Sequence, residues 1–285
     1  MSQIISDNAE DQHFQHYTLK HRIVSWVSRN LFEHYSYTVR HGLLRGLKRK
    51  GGLGWVPEVF SKSIETPEIE FWRKLSLDGL TVYDVGSFEG LLALFFASRA
   101  KQVICYEPNS RNHGCLTDNI ALNGFTNVRV RKTGVGEAPQ EIRLVWNPAM
   151  PGGASAEAAT ATHLQDTVSG ARVETIPITT LDIDFEKSGL PAPDFIKIDI
   201  EGWELQALRG AKNLLQRFGP ALFLEMHGET MAEKKRKVTD IVQFLEETGY
   251  TVIEHVETGQ QVTAGNCLIA VEGHLYCPRN PAAGS

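Results

Sequence analysis

The chain has 285 residues, 42% of them hydrophobic and 22% charged, which are the proportions of a folded globular protein and exclude a disordered one. Its 29 basic and 34 acidic residues leave a formal charge of −5, which excludes the general electrostatic pull of a nucleic-acid binder. No apolar run approaches the roughly 18 residues needed to span a membrane.

Residues 1–20 are polar and lack the charged, apolar and small-residue zones of a signal peptide. Cys105, Cys115, Cys267 and Cys277 form no CxxC pair, so the reading is a cytoplasmic protein in a reducing compartment without structural zinc. Ile23, Val24, Val27, Leu31 and Phe32, then Leu43, Leu44 and Leu47, recur at helical spacing, which predicts a helical N-terminal extension over 1–60. Arg40, Arg45, Lys48, Arg49 and Lys50 fall in a stretch without acidic residues and read as a solvated basic face. The main domain is placed at 61–278, with 279–285 as a tail.

Beyond Pro57 short β-rich runs alternate with helical ones, the signature of an α/β sheet with helices on both faces. Strands are predicted at 81–85, 102–106, 128–131, 195–199, 221–225, 251–254 and 267–271, and helices at 91–100, 111–122, 203–209 and 232–247. The small-residue stretch 147–172 reads as a long loop, placed to cover the edge of the sheet where ligands bind.

The first strand runs through Asp84 and Val85 into the turn Gly86-Ser87-Phe88-Glu89-Gly90. Gly86 permits a tight turn close to a ligand, and Gly90 permits close packing of the following helix. The second strand ends in Glu107, 21 residues after Gly86, where a carboxylate accepts the hydroxyls of a ribose. Together they imply a nucleoside-containing cofactor. A dinucleotide's pyrophosphate favours G-x-G-x-x-G, but here Phe88 stands at the second glycine and Asp84 and Glu89 add negative charge. S-adenosylmethionine, with its sulfonium and ammonium groups, suits that charge better.

These residues resemble the FkbM-type S-adenosylmethionine-dependent methyltransferases. The resemblance rests on Asp84-Val85-Gly86 with Gly90; Tyr106-Glu107-Pro108-Asn109; Asn119 with Leu122-Asn123-Gly124; Thr180-Leu181-Asp182; the K-I-D-x-E-G-x-E block from Lys197 to Glu204; and Leu224-Glu225-Met226-His227. It implies a Rossmann-like seven-stranded methyltransferase fold. It also implies that the turn from Asp84 through Ser87 and Glu89 to Gly90 holds the methionine part, while Glu107, flanked by Pro108 and Asn109, holds the ribose. Many family members carry Asn at the position of Phe88 or Glu89, a departure in this chain.

Ligands of a doubly wound sheet bind beyond the carboxyl ends of its strands, which selects Asp199, Glu201, Glu225 and His227. Methyl transfer requires an aligned acceptor and removal of its proton, so Asp199, His227 and Glu201 are the catalytic candidates. Asp199 and Glu225 are candidate ligands for a divalent cation such as magnesium. The expected activity is O-methylation of a hydroxyl on a small molecule such as a sugar or natural product. An N-methyltransferase acting on an amine, amide or peptide, and a non-catalytic nucleoside-cofactor binder, are the alternatives. A nucleic-acid substrate is not expected, because Asp199-Ile200-Glu201-Gly202 stands where amino-directed nucleobase enzymes carry N/D-P-P-Y/F. A homo-oligomer is compatible with this reading.

Overall fold

A computed structural model describes residues 35–50, 65–146, 154–155, 172–228 and 230–280. The predicted N-terminal helix lies outside the described residues up to 34. From 36 to 50 the chain instead forms an antiparallel hairpin of β1 (Ser36–Thr38) and β2 (Lys48–Lys50). The apolar spacing there reflects burial of Val39 and Leu44 at the turn of the hairpin, not one face of a helix.

Helix α1 (Pro67–Lys74) starts where Thr66 accepts the Ile69 N–H and a proline occupies the first turn. It carries Trp72, fully buried against Phe95, Phe96, Phe195 and Phe223. Then follow β3 (Thr81–Val85), α2 (Leu91–Ala97), β4 (Gln102–Tyr106), α3 (Ser110–Leu122) and β5 (Val128–Arg131). A second group of strands comprises β6 (Gly134–Val135), β7 (Gln140–Trp146), β8 (Ala154–Ser155) and β9 (Arg172–Thr179). The chain continues through α4 (Leu181–Ser188), β10 (Phe195–Ile198), α5 (Glu204–Arg209), α6 (Lys212–Phe218), β11 (Ala221–Glu225) and α7 (Met231–Glu247). It ends with β12 (Glu254–His255), β13 (Gln260–Gln261), a 3-10 turn at Cys267–Ala270 and β14 (His274–Cys277).

The main sheet has the order β13-β12-β14-β11-β10-β3-β4-β5. From β11 to β5 neighbouring strands are parallel, and β14 runs antiparallel between β11 and β12. Seven strands thus follow a Rossmann-like order, with the short β13 added at the edge. Alternation along the strands serves two cores. Val82, Phe195 and Phe223 join the aromatic cluster of Trp72, whereas Tyr83, Ile196, Ile198 and Leu224 pack with α5, α6 and α7.

Two predicted strands move. The run 267–271 is largely the 3-10 turn, because only Cys267 and Ala270, one helical turn apart, are buried while Leu268 and Ile269 face outward. The strand at this end is His274–Cys277, where Leu275 and Cys277 alternate into the core. Of the strand expected at 251–254 only Glu254 is in a strand, the two-residue β12. The loop expected at 147–172 lies outside the described residues except for β8 and Arg172, the first residue of β9. Among the described residues, no helix is long and apolar enough to cross a membrane.

The hairpin is tied to α3 by two amides: Asn123 accepts the Lys48 N–H and donates to the Lys48 carbonyl, each at 2.7 Å, and the buried Asn119 holds Lys50. Asn119 Oδ1 accepts the Lys50 N–H at 2.6 Å, and Asn119 Nδ2 donates to the Glu89 carbonyl at 2.9 Å. Asn119→Ala is expected to cost about 1–3 kcal/mol, since it strands a buried donor or acceptor. Amide exchange should quicken at Lys50 while β3 stays protected; unchanged exchange at Lys50 would refute the tie.

Candidate active site

In the main sheet the chain leaves β3 toward β4 on one side and returns as β10 on the other, so a crevice opens between the carboxyl ends of β3 and β10. The turn after β3 fills its floor. Gly86 has φ 80°, and a Cβ there would lie 1.8 Å from the Asp199 carbonyl oxygen, so no other residue fits. Gly90 begins α2, and its bare Cα makes room for Leu116. The Ser87 hydroxyl is turned inward and donates to the Asp84 carbonyl at 2.8 Å.

Glu107 directly follows β4 and is nearly fully buried. Its two oxygens accept the Phe88 and Asn109 N–H groups, each at 2.9 Å, which fixes the carboxylate against the turn. Burial pushes its pKa up to about 7, opposed by those two backbone hydrogen bonds. Phe88 reaches this contact with φ 50°, a left-handed conformation in a bulky residue. Asn109 caps α3 through Oδ1, while its buried Nδ2 has no hydrogen-bond partner. Pro108 lines an open apolar cleft beside Gly86, Val135, Ile178, Ile200 and Trp203. The far wall belongs to the second sheet, where Ile142 and Leu144 of β7 and Ile176 and Ile178 of β9 form a small apolar cluster.

The two acids that favour a cation in the sequence each have a cationic neighbour in the structure. Glu89 pairs with Arg111 at 2.9 Å. Asp84 is fully buried beneath the turn, paired in register with Lys197 and 3.5 Å from its ammonium. Burial raises the Asp84 pKa against the pull of Lys197. Lys197 Nζ also donates to the Gly86 carbonyl at 2.8 Å and meets Asp199 Oδ2 at 3.0 Å. Burial would lower the lysine's pKa, but Asp199 and Asp84 outweigh it and hold the ammonium charged. Sequence reasoning missed this residue as a site member, although it stands in the K-I-D-x-E-G-x-E block two residues before Asp199.

Asp199, Glu201, Glu225 and His227 come together at the ends of β10 and β11. His227 Nε2 lies 3.8 Å from Asp199 Oδ1, 3.7 Å from Glu201 Oε2 and 3.5 Å from Glu225 Oε1. Its Nδ1 meets Glu204 Oε1 at 3.0 Å. Glu204, also missed from the sequence, begins α5 and is fully buried. The same oxygen accepts the Gly202 and Ile200 N–H groups, so this one carboxylate holds both the imidazole and the turn at Glu201, where φ is 53°. Burial would lower the His227 pKa, but hydrogen bonding to Glu204 and Glu225 and the Glu201 charge push it up to about 11. Desolvation pushes Glu201 up to about 7, whereas Lys197 and His227 hold Asp199 below its usual value despite burial.

A parallel sheet with an antiparallel strand beside its last parallel one, a glycine turn after β3 and an acid directly after β4 define the Rossmann-like methyltransferase class of domain. Residues 84–252 match the Methyltransferase FkbM domain, and the chain belongs to that family. It is 30% identical over 135 residues to the hexuronic acid methyltransferase AglP of Haloferax volcanii, a stretch covering 47% of this chain and 51% of that one. It is 25% identical over 150 residues to Methyltransferase 1 of Beauveria bassiana, covering 47% of this chain and 59% of that one. The chain thus spans about half the length of these relatives. Among solved structures, the methyltransferase FkbM of Methylobacillus flagellatus KT aligns with a TM-score of 0.46 and 20% identity, covering 74% of this chain and 50% of that one.

Proposed function

We propose that the chain is an S-adenosylmethionine-dependent methyltransferase acting on a hydroxyl of a small molecule, such as a sugar or natural product. The observation that carries this reading is the junction of two sites. Gly86, the pivot of the cofactor turn, packs on the Asp199 backbone, and Lys197 joins both to Asp84. Acid–base side chains therefore border the place where the reactive end of a nucleoside cofactor lies. The family match supports methyl transfer, and the name of the Haloferax relative, a hexuronic acid methyltransferase, supports a sugar-like acceptor.

The residues fit the cofactor. Glu107, with each oxygen already oriented by one backbone N–H, retains lone pairs to accept two ribose hydroxyls. The apolar cleft between Pro108 and Trp203 suits an adenine ring. When bound, S-adenosylmethionine supplies a methyl group already activated on its sulfonium sulfur. The protein's task is then to align the acceptor and take its proton. Glu201, half exposed at the mouth, accepts that proton, while Asp199 and His227 orient the hydroxyl.

Calorimetric titration with S-adenosylmethionine, S-adenosylhomocysteine and NADH tests the cofactor. The first two are expected to bind and NADH not to. Glu107→Ala should weaken binding by about 1–3 kcal/mol through loss of the ribose acceptor. Transfer of labelled methyl to glycosides, with amines assayed alongside, tests the acceptor. Binding of NADH alone would overturn the cofactor assignment, and methylation of amines only would overturn the hydroxyl acceptor.

A further inference from the structure

We propose that Asp199, Glu225 and His227 form a binding site for a divalent first-row transition metal, with Glu204 as the group that orients its histidine. One ligand atom from each of the three side chains lies within 4.8 Å of the others. The separations from His227 Nε2 are 3.5 Å to Glu225 Oε1, the outer limit of a hydrogen bond, and 3.8 Å to Asp199 Oδ1, beyond it. They approach the edge of a coordination polyhedron whose metal–ligand bonds are about 2.0–2.2 Å, an edge of roughly 3.0–3.5 Å.

Independent support comes from Glu204, which lies outside the ligand set. Its side chain is only 1% exposed, its Oε1 faces His227 Nδ1 at 3.0 Å and its Oε2 is buried without a partner. A buried carboxylate on one imidazole nitrogen fixes the tautomer and directs the other nitrogen's lone pair outward, the arrangement found behind metal-bound histidines. Here that second nitrogen faces three carboxylates, a concentration of negative charge that a proton on the imidazole offsets in the metal-free chain and that a divalent cation would offset in the proton's place. Lys197 supplies no such cation: it approaches Asp199 Oδ2, leaving Oδ1 directed toward the imidazole.

The donor set decides the metal class. Magnesium prefers oxygen and retains most of its waters, whereas one imidazole with two carboxylates suits manganese, cobalt or zinc. The magnesium expected from the carboxylates alone is therefore the poorer match. The binding site stands without any assumption about methyl transfer; only its use rests on that reading. In that use a metal polarises the acceptor hydroxyl and leaves Glu201 free to take the proton.

The test uses the full chain stripped with chelator and titrated with MnCl₂, CoCl₂, ZnCl₂ and MgCl₂ by calorimetry, with electron paramagnetic resonance of the manganese form. One manganese per chain is expected, with nitrogen hyperfine coupling from an imidazole, and magnesium at least tenfold weaker. His227→Gln should remove the nitrogen coupling, Glu225→Gln should weaken binding, and Glu204→Gln should weaken it about 10–100-fold. The spectrum of the wild-type protein decides even if a variant misfolds. No binding of manganese, cobalt or zinc, or bound manganese without nitrogen coupling, would overturn the site. Failure of S-adenosylmethionine to bind a metal-loaded chain would instead overturn the methyltransferase reading and leave the metal site standing.

Discussion

Lys197→Met is expected to destabilise the folded chain by about 3–5 kcal/mol, the penalty for removing one partner of a buried ion pair. Methionine nearly matches lysine in volume, so the loss is electrostatic and not the result of a cavity. Asp84 is fully buried with neither carboxylate oxygen hydrogen-bonded, and the ammonium 3.5 Å away is its paired cation. Asp199 loses a 3.0 Å partner at the same time, and the Gly86 carbonyl loses its donor. Adding Asp84→Asn to Lys197→Met should recover part of the loss, because the neutral amide removes a charge with no counterion. Urea unfolding of the single and double variants measures both effects. A cost below about 1 kcal/mol for Lys197→Met would mean that Asp84 takes no charge stabilisation from the lysine.

That triad shows where the sequence stops being informative. Asp84 and Lys197 are far apart in the chain, and only the parallel register of β3 and β10 sets them side by side. The features that were legible are local. The strand–turn–helix at 81–97, the spacing from Gly86 to Glu107 and the K-I-D-x-E-G-x-E block each declare themselves within a few turns of chain, and their order implies the sheet. The second sheet was overlooked although its signal was present. Ile142 and Leu144, and Ile176 and Ile178, alternate as half-buried strands do, but a long stretch separates the two members of the pair. The run at 267–271 misled for a different reason. Four or five apolar residues read alike as a buried strand or a helical turn, and here the partners across α7 decided for the turn.

Gly86→Ala is expected to abolish detectable S-adenosylmethionine binding and to destabilise the chain by more than a left-handed backbone alone explains. Two costs combine at this position. At φ 80° any side chain pays about 1–2 kcal/mol for the left-handed conformation. In addition, the new Cβ would stand 1.8 Å from the Asp199 carbonyl oxygen and 2.9 Å from Ile200 Cγ2, so the ends of β3 and β10 must part. Separating them moves the cofactor turn away from the reacting groups and breaks the Lys197 hydrogen bond to the Gly86 carbonyl. Gly79→Ala supplies the control, since Gly79 has φ 74° and a methyl group there would meet nothing within 4 Å. Its cost should therefore be the backbone term alone, with cofactor affinity unchanged. Equal losses of stability in the two variants, together with wild-type cofactor affinity in Gly86→Ala, would show that the close approach of the turn to Asp199 is dispensable for binding.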